Sequence, residues 1–168
     1  PVDVAAGDAS RVVVRPDTHV ACRRRNPLRE PFFGDLHVHT GLSFDAASWG
    51  TRARPSDAYR FARGESVGLA PYDAEGRATR TARLTRPLDF TAVTDHSEFL
   101  AETDLCTTPG SALYDTRTCR EQRETRLVAA TDYALPLSSR TPARPAICRG
   151  DNSGLCAERL RTVWEETQ

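Results

Sequence analysis

Two short segments constrain this chain more than anything else in it: Phe33-Gly34-Asp35-Leu36-His37-Val38-His39-Thr40 and Phe90-Thr91-Ala92-Val93-Thr94-Asp95-His96. Each is a short apolar run that ends in histidine and turns polar. Three of the 4 histidines lie in them. Phe32 to His39 reads as a strand whose Gly34 permits close backbone approach. Leu88 to Thr94 reads as a second strand, apolar and rich in Thr and Val, as a buried parallel strand should be. Pro55 to Ala62 reads as a helix between them, with Pro55 in its first turn and Gly64 as its stop. Strand, helix and parallel strand form the elementary unit of a barrel or a doubly wound sheet, so the pattern predicts an α/β fold.

The remaining segments are less regular. Residues 1–31 read as a lead-in, with a short strand at Arg11–Arg15 and a turn at Cys22–Pro27. Residues 40–54 read as a Gly/Ser/Asp loop and 64–86 as a long polar excursion. Another insertion follows His96. Thr116 to Tyr133 is expected to be helical, closing before Pro136. Residues 136–154 read as a loop. Asn152 or Ser153 then caps a last helix with Ala157, Leu160, Val163 and Trp164 on one face. The chain starts at Pro1, holds no Met, and ends where a third strand is due, which reads as a fragment truncated before the sheet closes.

Apolar residues make up 39% of the 168, so much of the chain must be loop. The 23 basic residues, all Arg, balance 23 acidic ones. That leaves no electrostatic footprint for nucleic acid or an anionic membrane. No apolar stretch approaches the ~20 residues that span a bilayer. None of the 5 cysteines forms a Cys-x-x-Cys pair, which argues against a zinc knuckle. Cys106/Cys119 and Cys148/Cys156 each bracket a polar loop that a disulfide would restrain, with Cys22 left over. That usage favours a periplasmic or secreted protein, with scattered thiols in a cytoplasmic one as the alternative.

The histidines supply the chemistry. His37 and His39 alternate along a strand, so both imidazoles reach one face and one ion, such as zinc, manganese or iron. Asp45 either bends back to the metal or caps the next turn. Asp35 is either a deeper ligand or an acceptor that orients an imidazole N–H. His96 ends the second strand as a further ligand. Asp95 beside it orients that ring or moves a proton, and is the catalytic candidate. Glu98 and Glu102 fit an exposed helix start, and His19 a surface position. Arg52, Arg54, Arg60 and Arg63 could meet an anionic small-molecule substrate, though solvated faces explain them too. Neither a Gly-x-Ser-x-Gly elbow nor a Gly-rich phosphate loop is present.

His37-Val38-His39-Thr40, with Ser43 and Asp45 following, and Val93-Thr94-Asp95-His96 resemble the two N-terminal motifs of the PHP (polymerase and histidinol phosphatase) superfamily. Here Phe44 separates Ser43 from Asp45. The chain is more closely similar to an uncharacterised bacterial domain-of-unknown-function family. That likeness rests on Asn26–Glu30, Phe33–Thr40, Asp57–Glu65, Arg86–Phe99 and the Leu105-Cys106, Pro109-Gly110-Ser111 and Cys119 positions. It covers residues 26–130 well and the tail loosely. The superfamily resemblance implies the N-terminal part of a distorted (β/α)7 barrel with long loop insertions, residues 32–168 forming that portion. It also implies a site of two or three divalent metals, with His37, His39, Asp45 and His96 as ligands, and phosphoester hydrolysis by metal-activated water. The superfamily's later ligands have no match here, so the isolated fragment is expected to be inactive. The alternative is a metal-free binding or structural module on the same fold.

Overall fold

A computed structural model describes residues 28–73, 75–124 and 129–168. The expected strand at 11–15, the turn at 22–27, His19 and Cys22 lie outside the described residues. The chain divides into two units, Pro1–Pro31 and Phe32–Gln168, and the second carries every element below.

β1 (Gly34–Val38) and β4 (Phe90–Val93) pair in parallel, with Gly34 opposite Phe90 and Val38 opposite Val93. The strands approach closely at Gly34: a Cβ there would meet the Phe90 carbonyl oxygen at 2.2 Å. The connection runs through α1 (Phe44–Ser48), α2 (Pro55–Ala62), and a hairpin of β2 (Val67–Tyr72) and β3 (Ala78–Ala82). α2 forms as expected. Pro55 stands at its start, the Asp57 carboxylate accepts the Arg54 N–H at 2.9 Å, and Gly64 ends it at φ +89°. Among the described residues there are two sheets, each two-stranded and open.

Several expectations need correction. The polar excursion at 64–86 holds the β2–β3 hairpin. Its turn is built by the Asp73 carboxylate, which accepts the N–H groups of Glu75 and Arg77, and by Gly76 at φ +78°. The 40–54 loop contains α1. Past His96, α3 (Leu100–Thr107) is buried along its whole length. Glu102 is therefore no exposed helix start: it is buried and paired with Arg144 at 3.0 Å. The span expected to be helical over 116–133 is helical where it is described, as α4 (Arg117–Glu124) and a π-helical segment, Ala129–Ala134, but it does not close before Pro136, which lies in α5 (Leu135–Ser138). The last helix, α6 (Ser153–Thr167), buries Cys156 and Val163, while Ala157 and Trp164 are exposed. Of the expected face, Val163 is buried and Leu160 packs against the core, and Cys156, disulfide-bonded to Cys148, is buried with them.

The core lies around α3. Ala101, Leu105 and Cys106 pack with Leu113, Cys119, Ile147, Cys148 and Cys156, and the disulfides Cys106–Cys119 and Cys148–Cys156 sit inside that cluster. A second cluster joins Leu42 and Leu100 to Val163. Buried polar groups on α3 are neutralised from afar. Asp104 meets both Arg54 and Arg159, and Arg54 also holds Glu166. The parallel pair is less buried than its pattern predicts. Phe33, Leu36 and Phe90 are exposed, since β1 is the one strand paired with β4 and α2 the one helix in extensive contact with it among the described residues. No helix of the described residues is long and apolar enough to cross a membrane.

Candidate metal centre

The site is assembled where β1 and β4 end. Parallel pairing places both carboxyl ends together, and three hydrogen bonds then cross between the emerging loops. The Val38 N–H donates to Thr94 Oγ1 at 3.0 Å, and the Thr94 N–H donates to the Val38 carbonyl at 2.8 Å. The His96 N–H donates to Ser43 Oγ at 3.0 Å. Asp95 adds the firmest link. One of its oxygens accepts the Thr40 N–H and the other accepts the Thr40 hydroxyl at 2.7 Å.

Within this frame His39, Asp45 and His96 converge. One donor atom from each lies within 4.8 Å of the other two. His39 Nδ1 stands 2.8 Å from Asp45 Oδ2, and His96 Nε2 stands 3.5 Å from the same oxygen. Asp45 occupies the first turn of α1, where its Oδ1 also accepts the Ala46 N–H at 2.6 Å. Burial pushes its carboxyl up, but hydrogen bonds from Ser43, the Ala46 N–H and His39 outweigh this, and the net shift is below the ordinary value. Atoms bound to one tetrahedral zinc ion at about 2.0–2.2 Å lie about 3.3–3.6 Å apart. Donor atoms up to 4.8 Å apart must therefore close by about 1 Å to share an ion. Two imidazoles and a carboxylate suit zinc, manganese or iron.

The other sequence candidates fall around this group. The exposed His37 ring has its centroid 4.8 Å from that of His39, beside the three donors. The Asp35 carboxylate accepts the His37 main-chain N–H at 2.9 Å instead of meeting an imidazole. Glu98 lies 3.5 Å from His96 Nδ1. Phe44 packs on His96 with ring centroids 4.8 Å apart. Arg54, Arg60 and Arg63 are engaged with carboxylates, whereas Arg52 donates to the carbonyls of Ala47 and Thr51. Ser43 and Thr40 are the residues that sequence reasoning left without a role. Both are buried at the strand ends, and their short hydroxyls facing a polar loop were the one available signal.

Two imidazoles and a carboxylate thus form, near the carboxyl ends of two parallel strands, a group that could hold a metal ion. Residues 26–161 match the family described as Protein of unknown function (DUF3604), and the chain belongs to that family. No curated protein and no solved structure matches the chain.

Proposed function

We propose that this chain contributes part of the metal centre of a PHP-like, metal-dependent hydrolase acting on phosphoesters. The observation that carries the reading is the convergence of His39, Asp45 and His96. His37, beside His39, is the fourth ligand of the proposed set. A divalent ion held there supplies Lewis acidity toward an ester oxygen and toward water. The chain's own contribution is positional. Ser43 and Ala46 hold the Asp45 carboxylate, while Asp95 and Thr40 keep the two loops in register. Asp95, with both oxygens occupied by Thr40, acts in this reading as a positioning residue and not as a proton carrier.

A two- or three-metal centre at the mouth of a closed barrel needs donors beyond these, and the 168-residue chain alone is expected to bind metal without turnover. The two disulfides support placing the protein in an oxidising compartment, periplasmic or secreted. The test is metal analysis after equilibration with zinc or manganese and desalting. The native chain should retain an ion, and a His39→Ala/His96→Ala double variant that melts like the native chain should not. A native chain that retains none refutes the proposal. Equal retention by both places the ion at other residues and refutes the proposal as well, whereas retention by neither favours the metal-free module.

A further inference from the structure

A cleft of about 460 Å³ opens between the 41–54 segment, the β2–β3 turn and the C-terminal end of α3. It lies apart from the His39, Asp45 and His96 donors, none of which lines it. Three arginines line it: Arg54 is held by Asp104 and Glu166, whereas Arg52 and Arg123 face each other's field. Arg52 Nη1 donates to the carbonyls of Ala47 and Thr51 at 2.9 and 2.8 Å. Arg123 Nη1 donates to the carbonyls of Cys106 and Tyr114, both at 2.7 Å. These are main-chain partners without charge. Among the described residues neither guanidinium meets a carboxylate, and each keeps donors to spare on Nε and Nη2.

The acids of the same cleft do not answer them. Asp73 and Glu75 are bound to Arg77, at 2.8 and 3.1 Å. Burial, the largest cause, and the nearby Arg123 charge draw Arg52 below its ordinary value, opposed by Tyr72 and Tyr114. Placing two cations together without an anion is unfavourable, and a bound oxyanion removes that penalty while filling the unused donors. Two aromatic rings frame the space. Arg123 lies over the Tyr114 ring at 3.7 Å, and Tyr72 closes another side. The volume falls in the range of small-molecule sites.

We propose that this cleft binds a small organic oxyanion, a carboxylate or phosphate carried on a flat apolar body, with the anionic head between Arg52 and Arg123 and the body against Tyr72 and Tyr114. The assignment does not rest on the metal reading, since its groups are different. The test is isothermal titration of the full chain with phenyl phosphate, benzoate and inorganic phosphate, all in EDTA. Phenyl phosphate or benzoate should bind saturably and more tightly than inorganic phosphate; which of the two is preferred identifies the head group. Removing a charged donor with Arg52→Gln should weaken binding about tenfold or more. His96→Ala should leave it unchanged. If Arg52→Gln fails to fold by circular dichroism, Tyr72→Ala carries the same test through the apolar body. Absence of saturable binding overturns the proposal, as does binding that is lost in His96→Ala and kept in Arg52→Gln.

Discussion

Asp95 links two ends of the chain that must stay together for any metal to be held. Its side chain is half-buried, and it accepts both the main-chain N–H and the hydroxyl of Thr40, which is 1% exposed. Asp95→Ala strips the acceptor from two buried donors at once. Hydrogen bonds to a charged group contribute about 1.5–3 kcal/mol each, and partial water access at Asp95 places both near the lower bound. The expected loss is about 3 kcal/mol, or about 6–12 °C of melting temperature for a domain of this size. Asp95→Asn keeps one acceptor oxygen and turns an NH2 toward a donor, so it should fall between native and Ala. The assay is thermal unfolding followed by circular dichroism, with zinc affinity measured on the same samples. Affinity should fall in the same order, because Asp95 ties the loop bearing His39 to the loop bearing His96. Native-like melting of both variants would refute the reasoning and return Asp95 to a role in proton transfer.

Gly34→Ala should cost about 1–3 kcal/mol by overpacking, because the new methyl would sit 2.2 Å from the Phe90 carbonyl oxygen; urea unfolding checks this, and an unchanged midpoint would contradict the strand register. Burial, followed by the charges of Glu102 and Asp132, pushes the Tyr133 phenol above its ordinary value of 10.0, against a hydrogen bond to Gln122. A raised folded-state value means that this contribution is complete below pH 10.0 and is lost as pH climbs beyond it. Melting temperature in a Cys22→Ser background should therefore drop more steeply above that pH in the parent than in Tyr133→Phe, and parallel curves would count against the burial of Tyr133.

The elements legible in the sequence were those whose signals are local. β1, β4 and α2 announce themselves through apolar runs, a leading proline and a stop glycine within a few residues. α3 does not, because Leu-Ala-Glu-Thr-Asp-Leu-Cys-Thr has no polar face to set against an apolar one: all of it is buried. Its Glu102 and Asp104 pair with Arg144, Arg54 and Arg159, which are distant along the chain, so no window of sequence reveals the pairing. β3 was hidden for the opposite reason. Ala-Thr-Arg-Thr-Ala is mostly exposed and carries no apolar stripe, although Asp73 and Gly76 already marked the turn. His39 and His96 were readable as strand-end histidines. The Thr40–Asp95 and Ser43–His96 contacts were not, since they depend on how β1 and β4 align.

That dependence separates the two jobs done at this end of the sheet. His39 and His96 are on loops, where backbone freedom would ordinarily spread them apart, and Asp45 is in the first turn of α1. Their precision comes from residues that touch no donor nitrogen: Thr94 on Val38, Asp95 on Thr40, and Ser43 on the His96 main chain. His39 and His96 are only partly buried and belong to neither apolar cluster. Losing a donor ring should abolish ion binding while barely moving the melting temperature, whereas losing a tether should lower both together. The two classes of variant are thus distinguishable in one experiment, and the distinction follows from the parallel register of two short strands.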